Sequence, residues 1–304
     1  MQKTGQICNG QLIEGGEGVQ SVQVFIKPNE VEKRRLIEEF KIDEHTLNSS
    51  LDPDELARLE FEPDHLAIIL KQPKNYTAKD RLLFKVVSMG VFLFKERLVI
   101  VQSEDMPLFE GKQFSKICSF PEILLKLIYR SVFHFIEHIK VINRISDELE
   151  RKVSRSMENR YLLNMFTLEK SLVYYLNSIN SNGALLEKLK LNAPKIGFSQ
   201  EEHEYLDDLI IENNQCFRQA EISSNVLASL MDARASIVSN NLNVLMKTLT
   251  MITIAIMVPT FVVSAFSMNV GIPFQRHPYA FWIIMALALV SEISLVLYWR
   301  SKKW

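Results

Sequence analysis

A short polar triplet, Ser267-Met268-Asn269, ends a long uncharged stretch of this chain. It lies within TFVVSAFSMNVGIPF, residues 260–274. An Asn followed by Gly and Pro is a stop signal for a helix. The side-chain amide of Asn269 could equally present its carbonyl oxygen at the mouth of a pore. Both roles place this amide where an apolar span meets water.

Two apolar stretches near the C-terminus are long enough to cross a membrane. Residues 248–275 contain no charged residue, and Glu292 is the only one in 279–299. A helix needs about 20 apolar residues to cross the bilayer core, and membrane helices tolerate proline. We therefore expect transmembrane helices over 248–269 and 279–299, joined by an extracytoplasmic loop over 270–278.

Basic residues flank both spans on one side. Lys247 precedes the first span, and Arg300, Lys302 and Lys303 lie in the tail 300–304 that follows the second. Because Lys and Arg concentrate on cytoplasmic flanks, we expect a multi-pass protein of the inner membrane with both termini in the cytoplasm. The start of the chain, MQKTGQICNG, is polar, so no secretory signal peptide is expected.

Residues 1–118 are expected to form a small cytosolic α/β domain. Apolar, β-branched stretches predict strands at SVQVFIKP, DHLAIILKQ, RLLFKVVS, GVFLFK and RLVIVQS. NEVEKRRLIEEF predicts a helix that starts at the N-cap Asn29, with Glu32 in the capping-box position. FKERL is expected to form a hairpin turn.

Helical periodicity replaces the strand pattern over 119–198. PEILLKLIYRSVFHFIEHIKVINRISDELERKV and RYLLNMFTLEKSLVYYLNSIN predict two helices of a cytosolic helical region. NSNG is expected to close the second helix, and LNAPKIGF to interrupt the chain after it.

One very long helix is expected next. Ser199 and Glu202 form a capping box, no glycine occurs between Gly197 and Gly271, and Pro259 is the only proline in that interval. The chain can therefore run as one helix of about 70 residues, roughly 100 Å long. Its part over 199–247 is a stalk whose apolar stripe must pack on other helices and on copies of itself.

This arrangement resembles the CorA family of divalent-cation transporters over nearly the whole chain. The family signature is Gly-Met-Asn, usually preceded by Tyr, and here the residues are Phe266-Ser267-Met268-Asn269. NVGIPF and WRSKKW resemble the continuation and the basic end of the family. The resemblance implies an α+β cytosolic domain, a long helical stalk and two C-terminal transmembrane helices, assembled as a homopentameric channel in the lipid bilayer. Mg²⁺ is the usual ion, Co²⁺ and Ni²⁺ are carried by some members, and Zn²⁺ by a related branch.

In such a pentamer, five copies of Asn269 would form a ring of neutral oxygens. Mg²⁺ gives up its water reluctantly, so a filter that hydrogen-bonds to the hydrated ion avoids a large dehydration cost. Carboxylates would attract the ion more strongly but hold it too long for conduction. We therefore assign the selectivity filter to Asn269, Met268 and Ser267.

Helical spacing from Asn269 selects one weakly polar face of the long helix. Ser264 lies five residues before Asn269, and further steps of three and four residues give Thr260, Met257, Thr253, Leu249, Met246 and Asn243. Asp232 lies about three turns before Asn243 on the same face. The resemblance implies that these residues line the pore, with Asp232 concentrating cations at the cytoplasmic entrance and the Met and Leu residues gating by dewetting. Ordinary helix packing, and a solvated charge at Asp232, are the alternative roles.

Family members bind a regulatory ion between subunits through acidic residues. The resemblance places the stalk partner at Asp208, with Asp207 beside it. The N-terminal partner is normally a Glu-Asp pair, and Asn48-Ser49 occupies that position here. Whether the intersubunit site works without the pair stays open, and an exposed helix-face charge is the alternative role for Asp208.

Three other features lie outside the signature. The outer loop carries Arg276 and His277 where many relatives have an acidic residue, so no external ring of carboxylates is expected. Glu292 is a functional candidate because it lies inside a span, with a packing role as the alternative. HFIEH, from His134 to His138, matches a zinc-peptidase pattern, but no third ligand is evident and the residues are expected to be ordinary helix residues.

Composition excludes several classes of function. The net charge of −1 gives no sign of a nucleic-acid partner, and no P-loop motif occurs. Three scattered cysteines favour reduced thiols. The expected protein is not an enzyme and has no prosthetic group; Mg²⁺ is its transported ion and a possible regulator. A Zn²⁺, Co²⁺ or Ni²⁺ transporter of the same family and a non-conducting membrane scaffold or ion sensor remain as alternatives.

Overall fold

The computed structural model describes residues 2–8, 11–14, 21–77, 80–110, 112–155, 159–273 and 276–301. The chain divides into two compact units, Met1–Met231 and Asp232–Trp304. Residues 274–275 of the predicted outer loop and 302–304 of the basic tail lie outside the described part, as does the side chain of Cys8.

A seven-stranded mixed sheet forms the centre of the first unit. Its strands are β1 (Gln2–Cys8), β2 (Gln11–Glu14), β3 (Ser21–Ile26), β4 (Arg58–Phe61), β5 (His65–Pro73), β6 (Val86–Phe94) and β7 (Arg97–Gln102). Their order is β2-β1-β3-β7-β6-β5-β4. Only the β3–β7 pair is parallel among these strands, with Val24 opposite Ile100.

Helices cover both faces of this sheet. Helices α1 (Glu30–Glu38) and α2 (Glu44–Leu51) bury a core that includes Phe25, Leu36 and Phe92. Because side chains alternate along a strand, the neighbouring Val24 and Ile26 contribute to the opposite core. That second core lies under α3 (Phe120–Arg155) and α4 (Asn159–Leu191).

The predicted start of α1 is confirmed. The Asn29 side-chain oxygen accepts from the Glu32 N–H at 2.8 Å, and the Glu32 carboxylate accepts from the Asn29 N–H at 2.9 Å. The hairpin at FKERL is also confirmed, since Lys95 and Glu96 connect β6 to β7.

Two sequence predictions in this unit are wrong. RLLFKVVS and GVFLFK were expected to be separate strands, yet they contribute one strand, β6, that begins only at Val86. Arg81 and Leu82 precede it with φ of 47° and 68°, and this left-handed backbone cannot belong to a strand.

The second wrong prediction concerns NSNG, which does not close α4. The helix continues through Asn182 and Gly183 to Leu191. Tertiary contacts outweigh the local stop signal here: Asn182 accepts from the Lys71 N–H at 3.0 Å and donates to the Lys71 carbonyl at 2.8 Å. A Cβ at Gly183 would lie 2.9 Å from Asn213 Nδ2, so the glycine allows a close helix approach.

The long helix of the prediction is confirmed as α6 (Gln200–Phe266), which has 67 residues and contains Pro259. Its capping box is also present, because Ser199 Oγ accepts from the Glu202 N–H at 3.2 Å and Glu202 accepts from the Ser199 N–H at 2.8 Å. The short helix α5 (Ala193–Ile196) precedes it and ends at Gly197, with φ of 86°. Within the first unit, α6 buries residues spaced by three and four: Leu206, Leu209, Asn213, Cys216, Ala220, Ser223 and Leu227.

The second unit contains the end of α6 and α7 (Ala280–Ser301). Both helices are long and apolar enough to cross a membrane. In the apolar part of α6, residues 248–266, the partly covered residues are Met251, Ala255, Val258, Pro259, Val262 and Phe266. On α7 they include Ile284, Ser291, Glu292 and Leu295, and Ala288 is buried.

Candidate ion-conduction site

The end of α6 is closed by Ser267, not by Asn269. The Ser267 N–H donates to the Ser264 carbonyl at 3.1 Å, and the Ser267 hydroxyl donates to the same oxygen at 2.8 Å. These bonds satisfy a carbonyl of the last turn, which otherwise lacks an intrahelical partner. A glycine at this position could not supply the hydroxyl bond.

The Asn269 amide is therefore free for another partner. Asn269 is exposed, lies in a bend after the helix, and does not adopt the left-handed backbone of a C-cap. Among the described residues its side chain makes no hydrogen bond. An exposed amide that its own chain does not use can bind a ligand, including the water shell of a cation.

The other predicted pore residues share one property, which is exposure in the single chain. Met246, Leu249 and Met257 are each at least 60 % exposed. The polar members Asn243, Thr253, Thr260 and Ser264 are exposed as well. Their exposed side chains are therefore available for contacts with other copies of the chain.

Two hydroxyls on this face are held against their own helix. Thr253 Oγ1 donates to the Leu249 carbonyl at 2.9 Å, and Thr260 Oγ1 donates to the Ile256 carbonyl at 2.6 Å. Threonine in a helix commonly makes such bonds to the preceding turn. Each hydroxyl oxygen keeps a lone pair that can accept a hydrogen bond from water.

Asp232, the predicted cytoplasmic entrance, is exposed. Its carboxylate makes no ion pair with any described residue, whereas its backbone carbonyl accepts from the Ser236 hydroxyl at 3.1 Å. A carboxylate without a cationic partner retains its full negative charge for mobile cations.

The predicted regulatory pair, Asp207 and Asp208, occupies two different environments. Asp207 Oδ1 lies 2.8 Å from Lys190 Nζ, and this carboxylate raises the pKa of Lys190. Asp208 instead lines a cavity of about 350 Å³ with Glu212, Tyr129 and Tyr205. Burial, followed by the neighbouring Tyr129, raises the pKa of Tyr205 to about 12. The two carboxylates therefore do not face the same cavity, since Asp207 is beside Lys190 and Asp208 is beside Glu212.

No metal site is complete in the part of the chain that the structure describes. No group of three or more His, Cys, Asp or Glu side chains there is placed so that it could hold a metal ion.

The segment expected to supply the N-terminal partner of the regulatory ion site contains Ser49 on α2. Its hydroxyl accepts from Arg58 at 3.2 Å, and Arg58 also pairs with Glu55 at 2.6 Å. Sequence reasoning did not anticipate this guanidinium, which also lies 2.9 Å from Glu60 and therefore occupies two carboxylates of this segment.

The HFIEH residues form part of the packing between α3 and α4. The rings of His134 and His138 lie 4.3 Å apart, and His138 Nδ1 lies 2.6 Å from the hydroxyl of buried Tyr175. Burial lowers the pKa of both histidines to about 4. Glu137 is exposed, on a different side of α3 from the half-buried histidines. This arrangement favours the packing role.

Comparison with known proteins supports the family expected from the signature. Residues 24–300 match the family model described as CorA-like Mg²⁺ transporter protein. The chain belongs to this family.

Individual CorA relatives cover most of the chain at low identity. The cobalt/magnesium transport protein CorA of Methanocaldococcus jannaschii is 26% identical over 292 residues, which are 91% of this chain and 89% of the relative. The protein of the same name from Thermotoga maritima is 24% identical over 281 residues, 89% of this chain and 79% of the relative.

Solved structures match the fold of the CorA-like chain from end to end. The complete structure of the CorA magnesium transporter from Methanocaldococcus jannaschii has a TM-score of 0.83 at 22% identity, and covers 99% of this chain and 97% of that one. The full-length CmaX protein has a TM-score of 0.74 at 15% identity, covering 100% of this chain and 97% of that one. The predicted architecture of a mixed-sheet domain, a long helix and an apolar C-terminal helix is thereby confirmed.

Proposed function

We propose that this CorA-like chain assembles as a homopentameric channel that carries hydrated Mg²⁺ across the inner membrane. The observation that carries the proposal is the free Asn269 amide directly after the last turn of an apolar α6. A pentamer would place five such amides around one axis, where they accept hydrogen bonds from the water bound to the ion. No prosthetic group and no enzymatic step is needed, because the electrochemical gradient drives the ion.

The proposed conduction path runs along the exposed face of α6. Asp232 and Asn243 form its cytoplasmic entrance, and Met246, Leu249 and Met257 form constrictions that exclude water when closed. The span 248–269 lines the pore, and 279–299 packs outside it. The stalk 199–247, the domain 1–118, the helical region 119–198 and the tail 300–304 lie in the cytoplasm, and 270–278 outside.

Cobalt is the second candidate ion. The two named relatives are cobalt/magnesium transport proteins, and Co²⁺ bound to six waters presents the same outer shell to an amide ring as hydrated Mg²⁺.

A regulatory Mg²⁺ between subunits would use Asp208. Asp207 would give up its ion pair with Lys190 and bind the same ion.

The test is ion flux in proteoliposomes that contain wild-type protein or the variant Asn269→Ala. We expect the wild type to carry Mg²⁺ and Co²⁺, and Asn269→Ala to lose most of this flux because the outer-shell acceptor is removed. Asn214→Ala, an exposed amide on the stalk, is the matched control and should equal the wild type. Equal flux from Asn269→Ala would contradict the filter, and absence of flux from the wild type would contradict transport.

A further inference from the structure

Three lysines line a cavity of about 300 Å³ in the first unit. Lys71 comes from β5, Lys85 lies directly before β6, and Lys170 comes from α4. All three belong to the unit Met1–Met231, so none of them is part of the proposed conduction path. Ammonium groups that meet at one cavity attract anions and repel the cations that the proposed pore carries.

The side chain of Lys71 is buried at this cavity, since the residue is only 3% exposed. Its Nζ donates to the Pro53 carbonyl at 2.5 Å and to Ser88 Oγ at 2.8 Å. Both acceptors are uncharged, and Lys71 makes no ion pair within the described ranges of the chain. An ammonium group has three N–H donors, so one donor and the positive charge remain for a ligand.

Ser178 of α4 supplies a second donor to the same cavity. It is 5% exposed, and its hydroxyl makes no hydrogen bond to any residue that the structure describes. Ser171 on the same helix instead donates to the Thr167 carbonyl at 2.8 Å, as helix serines commonly do. Because buried hydroxyl groups normally have a partner, the Ser178 hydroxyl is available to an occupant of the cavity.

The charges of the lining favour an anion even though two carboxylates are present. Glu55 Oε1 lies 2.6 Å from Arg58 Nη1, so the charge of Glu55 is already matched. Asp54 is the other carboxylate of the lining. Lys85 and Lys170 form no ion pair in the described part of the chain. The lysines therefore outnumber the unpaired carboxylate, and the excess of positive charge suits a ligand with two negative charges.

We propose that this cavity binds the phosphate group of a small soluble molecule, with Lys71 as its buried cationic partner and Ser178 as its hydroxyl donor. A phosphate presents oxygens in several directions, so it can accept from β5 and from α4 at once. The cavity is at the lower end of the volumes of small-molecule sites. The ligand is therefore compact, either inorganic phosphate or a small phosphate monoester.

Isothermal titration calorimetry of the full-length protein in detergent tests this site. The probes are inorganic phosphate and glycerol 3-phosphate, at constant ionic strength with chloride as the reference anion. Lys71→Met should weaken binding at least about tenfold and Ser178→Ala about fivefold, because a hydrogen bond to a charged group contributes more than one between neutral groups. Lys188→Gln changes an exposed lysine of α4 outside the cavity and should equal the wild type.

The pH dependence of binding identifies the buried lysine. Burial lowers the pKa of Lys71 to about 8, against the opposing effect of the nearby carboxylates of Asp52, Asp54 and Glu55. Since the anion binds the ammonium form, affinity for glycerol 3-phosphate should fall roughly tenfold between about pH 7 and pH 9. A phosphate monoester is already a dianion in this range, so Lys71→Met should show no such fall. An equal fall in both proteins would assign binding to the exposed lysines and overturn the site.

The two probes also separate the sources of the phosphate group. Equal binding of both would mean that the phosphate group alone is recognised, and binding of glycerol 3-phosphate only would mean that the organic part contributes. Either result supports the site. Absence of binding by the wild type would overturn it, as would wild-type affinity in Lys71→Met and Ser178→Ala. Should Lys71→Met lose its melting transition, Ser178→Ala and Lys170→Gln provide the same test without removing the buried lysine.

Discussion

At the scale of single residues, the structure separates side chains that serve the fold from side chains that remain available. Ser267 and Asn269 belong to the same three-residue signature, yet Ser267 is bonded to Ser264 while the Asn269 amide makes no hydrogen bond among the described residues. His134 and His138 carry a motif that suggests metal chemistry, yet His138 packs against Tyr175 and His134 packs against His138. Residue type alone could not make these distinctions, because the partners come from other turns and other helices.

The histidine pair predicts how stability depends on pH. The folded pKa values of about 4 lie below the ordinary value of 6.5. The unfolded chain therefore binds more protons between pH 6.5 and 4, so the stability is fully present above pH 6.5 and is lost as the pH falls toward 4. We expect the melting temperature of the wild type in detergent to drop across this window.

The double variant His134→Gln, His138→Gln should flatten this profile, because neither amide titrates. His45→Gln changes an exposed histidine and should follow the wild-type profile. Differential scanning fluorimetry at a series of pH values measures all three proteins. A double variant as acid-sensitive as the wild type would assign the loss of stability to other groups.

At the scale of elements, helices and strands with strong local patterns were predictable from the sequence, whereas the strands near the sheet edges and the end of α4 were not. The periodic helices, the two capping boxes and the apolar central strands follow from sequence, because each is specified within a few residues. β1, β2 and β4 were missed since they are short or polar strands near the edges of the sheet. The end of α4 was misplaced because Asn182 and Gly183 serve contacts to Lys71 and Asn213 that are distant in sequence.

Gly90 shows how one contact between residues distant in sequence positions helix α2 on the sheet. A Cβ added at this position of β6 would lie 2.6 Å from the Ser50 Cβ of α2 and 2.9 Å from the Phe92 ring. We expect Gly90→Ala to lower the free energy of unfolding by about 1–3 kcal/mol, because the overpacked helix must shift on the sheet. Chemical denaturation of the full-length protein in detergent measures the loss.

Relief of the same clash is the check on this explanation. Ser50→Gly removes the opposing Cβ, so in the Gly90→Ala background it should recover part of the lost stability, although alone it removes the bond from Ser50 to the Leu47 carbonyl. Additive losses from the two substitutions would mean that the steric contact between α2 and β6 is not the cause.

At the scale of the whole molecule, the signature was sufficient for the family, whereas the proposed pore needs further copies of the chain. Asn269, Thr260 and Leu249 are exposed in the single chain, and the partners that we propose for them are the same residues in other copies. The family implied a pentamer, and the pore assignments remain proposals because a ring of identical residues has no counterpart inside a single chain. Sequence periodicity can select the face, whereas only the assembly can show what that face encloses.

Mixed assemblies provide the prediction that belongs to this scale. If five Asn269 amides act together on one ion, a single alanine in the ring already disturbs the hydrogen bonds to its water shell. Co-expression of wild-type and Asn269→Ala chains should therefore reduce Mg²⁺ flux much more steeply than in proportion to the fraction of variant chains. Native mass spectrometry of the same samples should give assemblies of five chains of 35.1 kDa. Flux that falls in simple proportion would mean that each chain conducts by itself, and the shared ring of amides would have to be abandoned.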